Sequence, residues 1–280
     1  MIPEIVHLHH LIDQYDAFLI DQFGVLLDGS QAYPGATEAL GLIAKHKKPV
    51  IILSNSAKRS KNNCDRLVSL GFERRHFTTV VTSGEIAYQS IAREIGASID
   101  MSARVMLLAR EGDPSPIADL GLIETKNAAE ADILLIASRD LSWSRNDYFA
   151  VFKEFRRDGG RCICLNPDLK MLTPQGLRFS AGAIAQIFEG LGGTIEWYGK
   201  PHSIIYKRAL ELMPEVRAER VLCIGDSIHH DILGGATTGL STALVRSGVH
   251  ADMSDKELWA TCSELGATPD YVLERFSTDI

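Results

Sequence analysis

Short apolar runs that end abruptly in polar or charged residues alternate along this chain with stretches of helical spacing. Ala17–Asp21, Pro49–Leu53, Thr78–Thr82, Val221–Gly225 and Ser241–Val245 read as buried strands. Thr37–His46, a stretch reaching Leu70, and one opening at Ser83-Gly84-Glu85 read as helices, with Ser83 as the capping residue and Gly71-Phe72 as a stop. That alternation predicts βαβ units, hence a parallel sheet covered by helices. The middle repeats it independently. Arg104–Leu108, Ile133–Ala137 and Arg161–Leu165 are strand-like, separated by helical segments around Ala128 and over Tyr148–Arg157. The expected organisation is therefore a core formed by 1–82 and 191–280, interrupted by an inserted α/β domain at 83–190.

Composition narrows the class. The chain has 280 residues, 45% hydrophobic and 23% charged, as in ordinary globular proteins. A net charge of −7 argues against nucleic-acid binding, and the basic stretch Lys58–Lys61 reads as a solvated helix face. No run approaches the roughly 18 apolar residues of a membrane helix. The opening Met-Ile-Pro-Glu-Ile-Val-His lacks the basic and long apolar regions of a secretion signal. Cys64, Cys162, Cys164, Cys223 and Cys262 form no Cys-x-x-Cys pair and read mainly as small buried hydrophobes, which fits a reducing cytoplasm.

The chemistry is concentrated where apolar runs stop, because ligands of open α/β sheets bind at the carboxyl ends of the strands. Asp21, Ser54-Asn55, and Asp226 with Asp231 occupy such ends, and Gly199-Lys200-Pro201 holds a lysine in a turn. Each alone is ordinary: an Asp after a strand is usually a cap, and Ser-Asn is common turn chemistry. Together they form a rarer set. Converging carboxylates repel unless a cation lies between them, and a few carboxylates with open positions suit Mg²⁺. A carboxylate beside Mg²⁺ and a lysine can attack phosphorus, with Lys200 and the Ser54 hydroxyl orienting the phosphoryl charge.

These elements, in this order, resemble the motifs of the haloacid dehalogenase superfamily. Asp21 through Gly24-Val25-Leu26, then Tyr33-Pro34-Gly35-Ala36, resembles its class IIA branch of p-nitrophenyl phosphatase-like, sugar-phosphate and pyridoxal-phosphate phosphatases. Ile52-Leu53-Ser54-Asn55-Ser56, Asn166-Pro167-Asp168, Gly199-Lys200-Pro201-His202 and Gly225-Asp226-Ser227 with Asp231 extend the likeness over nearly the whole chain. The resemblance implies an α/β fold, a Rossmann-like parallel-sheet core with a large inserted α/β cap. It implies Asp21 as nucleophile and metal ligand, Phe23 as a metal ligand through its backbone carbonyl, and Ser54, Asn55 and Lys200 on the phosphate. Asp226 would bind Mg²⁺, with Asp231 in support.

One position departs from that pattern. Phosphatases of this superfamily carry a second Asp two residues after the nucleophile, where this chain has Phe23. General acid–base help is typically worth about 10²–10⁴-fold in rate. His229 and His230, between the two metal-site carboxylates, or Asp28 are candidates to replace it, and each also reads as a solvated turn residue. Asn166-Pro167-Asp168 and Arg178 could reach a polar substrate or brace a turn, and Ala181–Gly190 reads as cap or interface packing.

The expected function is Mg²⁺-dependent hydrolysis of a small phosphate monoester, a sugar phosphate or similar, through an aspartyl-phosphate on Asp21. The alternatives are a phosphate-binding protein with impaired turnover, and hydrolysis of a carbon–halogen or carbon–phosphorus bond. The expected partner is a small phosphorylated metabolite, with no nucleic acid and no membrane. A homodimer could form through the inserted block.

Overall fold

The computed structural model describes residues 3, 5–155, 160–173 and 176–278. The strands are β1 (Ala17–Asp21), β2 (Val50–Ser54), β3 (Thr79–Thr82), β4 (Arg104–Leu108), β5 (Ile123–Glu124), β6 (Ile133–Ile136) and β7 (Arg161–Cys164). They continue with β8 (Lys170–Thr173), β9 (Gly176–Phe179), β10 (Ile195–Trp197), β11 (Val221–Gly225), β12 (Ser241–Val245) and β13 (Tyr271–Leu273). The helices are α1 (Leu8–Ile12), α2 (Ala36–Lys45), α3 (Ser60–Ser69), α4 (Ser83–Glu94) and α5 (Arg145–Phe155). After them come α6 (Ala181–Gly190), α7 (Ser203–Glu211), α8 (Gly234–Thr237) and α9 (Asp255–Leu265).

The chain divides into two compact units. The first comprises 1–54, 60–81 and 200–280. Its six-stranded sheet has the order β13-β12-β11-β1-β2-β3, with β1 parallel to both β2 and β11. Every residue of β1, β2 and β11 is buried, which is why these strands read as unbroken apolar runs rather than alternating ones. Phe18 and Ile20 of β1, Ile52 of β2 and Ile224 of β11 share one core with Leu40 and Ile43 of α2. Ile228, Leu244, Leu258 and Cys262 form a second core that seats α9. Burying a Leu or Ile side chain is worth about 1.5–3 kcal/mol, so the strand tips stand on a stiff base.

The second unit comprises 55–59 and 82–199. Its five-stranded parallel sheet has the order β10-β7-β6-β4-β5, and β8 and β9 pair antiparallel beside it in sequence. The unit is longer than the expected 83–190. β10 hydrogen-bonds to β7, which keeps the chain in this unit as far as Gly199. Residues 55–59 join it because Thr82 Oγ1 donates to the Lys58 carbonyl at 2.8 Å and Arg59 pairs with Glu85. The cap of α4 is Thr82, whose side chain accepts the Glu85 N–H, and not Ser83. Ser83 instead donates its hydroxyl to the Leu165 carbonyl.

Around Ala128 there is only a 3₁₀ turn, Ala128–Glu130, in place of the expected helix. Asn127 caps it and Ala131 is already extended, leaving no room for a second turn before β6. The segment expected over Tyr148–Arg157 is α5, which ends at Phe155; Arg156 and Arg157 lie outside the described residues. α6 spends its apolar face on this unit's own core, through Ala181, Ile184, Ala185 and Phe188. Among the described residues, no helix is long and apolar enough to cross a membrane.

Candidate active site

Parallel register in the first unit brings three chemically loaded strand ends together. Asp21 lies opposite Leu53 of β2, so Ser54 stands one step further along the neighbouring strand. Ile20 lies opposite Ile224 of β11, which places Asp226 just beyond the tip on the other side. A π-helical turn, Ile228–Leu233, then returns Asp231 to the same point. One carboxylate oxygen each from Asp21, Asp226 and Asp231 lies within 4.8 Å of the other two. All three residues are buried.

Lys200 closes the cluster. Its Nζ donates to Asp21 Oδ1 at 2.5 Å and to Asp231 Oδ1 at 2.7 Å, and the residue is 2% exposed. Backbone donors fix the carboxylates: Gln22 N–H to Asp21 Oδ1 at 2.7 Å, Ser227 N–H to Asp231 Oδ2 at 3.1 Å, and Val249 N–H to Asp226 Oδ2 at 2.7 Å. The backbone must also come very close to Asp226. Gly24 (φ +96°) and Gly248 (φ +58°) press against its carboxylate, and a Cβ on either would overlap it. Both backbones lie in the left-handed region that favours glycine. The Ser247 hydroxyl ties the two segments together by donating to the Gly24 carbonyl.

The electrostatics follow from burial. With all groups ionised, three carboxylates and one ammonium leave two uncompensated negative charges in a buried site. Burial pushes the Asp21 carboxyl well above its usual range; Lys200 opposes this, while Asp231 and Asp226 add to it. Burial first, then the Asp231 charge, raises Asp226 to about 6. Burial opposes the charge on Lys200, but the Asp21 and Asp231 carboxylates outweigh it and hold the lysine protonated. Such a site carries its full negative charge comfortably only with a cation present. The donor set, oxygen only and rich in carboxylate, fits a hard divalent ion such as Mg²⁺.

Ser54 is buried at the tip of β2, as the sequence places it. Asn55 belongs to the second unit, where its Nδ2 donates to Asp168 Oδ1 at 2.8 Å. The Asp168 N–H in turn bonds Asn166 Oδ1 at 2.8 Å. Asn166 and Asp168 therefore brace a turn. Arg178 is exposed on β9.

Phe23 is 40% exposed just beyond Asp21, in a bridge with Leu27. Asp28 is a turn residue: its Oδ1 accepts from Gln31 N–H, Ser30 N–H and the Ser30 hydroxyl, which hold it at about 2. It is ionised at neutral pH and has no proton to give. His229 is exposed on the π-helical turn, its ring edge-on to His230 at 5.1 Å.

Several participants lie outside the motifs that sequence reasoning singles out. Val249 supplies a backbone donor, Gly248 joins Gly24 of the first motif in close approach to Asp226, and His250 accepts the Ile228 N–H at Nε2 (3.3 Å). Burial depresses the His250 pKa, which suits an imidazole acting as acceptor. A signal for them exists in the chain. β12 is legible from its apolar run, and Ser247-Gly248-Val249 stand just past its tip, the position that holds the chemistry on β1, β2 and β11.

A parallel-sheet core carrying carboxylates at adjacent strand tips, salt-bridged to a buried lysine, defines a class of hydrolytic phosphoryl-transfer folds. Residues 18–123 match the model of the haloacid dehalogenase-like hydrolase family, and residues 197–278 match a second model of the same kind, HAD-hydrolase-like. The chain belongs to the haloacid dehalogenase-like hydrolases. It is 28% identical to the 5'-nucleotidase YutF of Bacillus subtilis over 242 residues, covering 84% of this chain and 88% of that one. With an acid sugar phosphatase of Staphylococcus epidermidis it shares 26% over 253 residues, covering 89% and 94%. Among solved structures, a haloacid dehalogenase-like hydrolase from Brucella suis superposes with a TM-score of 0.81 at 26% identity, over 98% of this chain and 99% of that one.

Proposed function

We propose that this protein is a Mg²⁺-dependent phosphatase that hydrolyses a small phosphate monoester, a sugar phosphate or similar, through an aspartyl-phosphate on Asp21. The observation that carries the reading is Lys200, buried and bonded to both Asp21 and Asp231 with Asp226 alongside. Asp21, Asp226, Asp231 and the Phe23 carbonyl would hold the cation. When bound, the ion neutralises the carboxylates and the phosphoryl oxygens.

Asp21 Oδ1 is pinned by Lys200 and the Gln22 N–H, which leaves Oδ2 to attack phosphorus. The bond from phosphorus to the ester oxygen breaks, and its electron pair leaves with that oxygen. The Lys200 ammonium and the Ser54 hydroxyl stabilise the charge spreading over the phosphoryl group. Water then cleaves the acyl phosphate, releasing orthophosphate and restoring Asp21. Five free thiols, four of them buried, fit a reducing compartment such as the cytoplasm.

The test is phosphate release from a panel of monoesters with and without Mg²⁺. Activity that needs the ion and vanishes in Asp21→Asn supports the reading, and an unchanged Asp21→Asn sinks it. Phe23 favours a second reading, a phosphate binder that turns over little. Tight orthophosphate binding with no turnover of any ester would carry that one.

A further inference from the structure

We propose that the second unit carries an anion-binding site of its own, formed by Arg110, Arg139 and Arg145, which takes a carboxylate or phosphate group. The proposal rests on this unit alone and does not depend on the phosphatase reading.

The topology brings the first two arginines to one sheet edge. β4 and β6 are adjacent and parallel, with Leu108 opposite Ile136. Arg110 stands two residues past the end of β4 and Arg139 three past the end of β6. The Arg110 N–H donates to the Ser138 hydroxyl oxygen at 2.7 Å, which ties the two strand ends together. Parallel sheets bind their ligands at the carboxyl ends of the strands, and here both ends carry a cation.

Phe179 gathers a third. The Arg139 guanidinium lies 3.8 Å from its ring centroid and that of Arg145 5.0 Å. Tyr148, edge-on at 6.2 Å, braces the ring. An aromatic face attracts a guanidinium but accepts none of its in-plane hydrogen bonds. Arg145 also opens α5, where the helix dipole adds to the positive potential.

The donors are left over. Arg139 Nε and Nη1 and Arg110 Nε are buried with no hydrogen-bond partner among the described residues. The contacts that remain are long: Arg139 Nη2 to the Trp143 carbonyl at 3.4 Å, and Arg110 Nη2 to the Met171 sulfur at 3.6 Å. The carboxylates beside Arg139 and Arg145 are already occupied. Asp140 Oδ1 accepts from the Ser142 N–H and hydroxyl, and Asp147 Oδ2 from those of Ser144. Glu111, next to Arg110, is exposed. Buried guanidinium N–H groups without partners are costly. An oxyanion satisfies them and neutralises the charge in the same step. An apolar ligand would leave the donors unpaired, and a cation would be repelled.

The test is calorimetric titration of orthophosphate, and separately of malonate, into the whole protein in chelator. Without an ion the strand-tip carboxylates of the first unit repel anions, so binding reports on the arginines. Wild type should bind at least one probe at a single site, more weakly as salt rises. Arg110→Gln and Arg139→Gln should each weaken that binding about tenfold, and Arg139→Lys less. Arg145→Gln, at an exposed position, should weaken it severalfold without moving the anion-free melting temperature. The bound probe should raise the melting temperature of wild type and not that of the Arg110→Gln, Arg139→Gln double variant. Two sources supply such an anion, a free ion and an acidic group on the ester itself. In Mg²⁺, a KM that rises in the double variant for phosphoglycerate but not for glycerol phosphate assigns the second source, and KM values unchanged for both assign the first. No binding of either probe to wild type, or binding that survives the double substitution, overturns the proposal and leaves the phosphatase reading intact.

Discussion

Asp226→Asn should make the cation-free protein more stable at neutral pH while abolishing its response to Mg²⁺. Burial and the Asp231 charge raise Asp226 from 3.8 to about 6. A raised folded-state pKa means that the folded form binds this proton more tightly than the unfolded chain. The contribution is fully present below pH 4 and is lost as pH rises through 6. Two pKa units and a little more correspond to about 3 kcal/mol. Asparagine bears no charge at any pH, and its side-chain oxygen can still accept the Val249 N–H while its amide faces Asp21. In chelator at pH 7.5 the variant should therefore exceed wild type by up to about 3 kcal/mol, or roughly 6–12 °C in a unit of this size. The gap should close at pH 4, and Mg²⁺ should raise only the wild-type melting temperature. Calorimetric melts across pH 4–8, with and without the ion, measure all of this. Were Asp226→Asn to melt at or below wild type in chelator, with wild-type stability flat from pH 5 to 8, the crowding of the three carboxylates would not be real.

Other substitutions probe the same cluster from different sides. Lys200→Met leaves three buried carboxylates without their ammonium and should cost about 3–5 kcal/mol in chelator, read from urea melts. Gly248→Ala puts a Cβ into the Asp226 carboxylate, so Mg²⁺ stabilisation should disappear in a thermal-shift titration even where the fold persists. Gln22 is fully buried, and neither of its amide atoms has a hydrogen-bond partner among the described residues. Gln22→Met should accordingly raise stability by about 1–3 kcal/mol, and a loss in urea melts would mean that the amide is satisfied by water.

The first unit's central strands were legible because strands buried on both faces must be apolar throughout, and β1, β2 and β11 are. Helix and strand ends shifted by a residue or so, as they do when hydrogen bonds rather than hydrophobicity decide them. The elements that escaped the sequence had weak periodicity or were short. β5 has two residues, both exposed, and β10 and β13 have three each, so none offers a pattern to read. β10 matters most, since its pairing with β7 carries the second unit to Gly199, and pairing between distant segments leaves no mark in either one.

At the site, the charged residues were legible and the backbone was not. Asp21, Asp226, Asp231 and Lys200 announce themselves because charge at the end of an apolar run needs a reason. Gly24, Gly248 and the Val249 N–H act through what they lack or through the main chain, and a glycine in a loop looks like any other turn. Asn55 shows what position alone leaves out. A polar residue in the right place reads as a phosphate ligand, while its amide is held by Asp168, 113 positions further along. Phe23 shows why both kinds of information are needed. From sequence it is a missing acid, a loss only. In the structure the same residue is 40% exposed just beyond Asp21, with the Arg66 guanidinium 5.6 Å from its ring centroid.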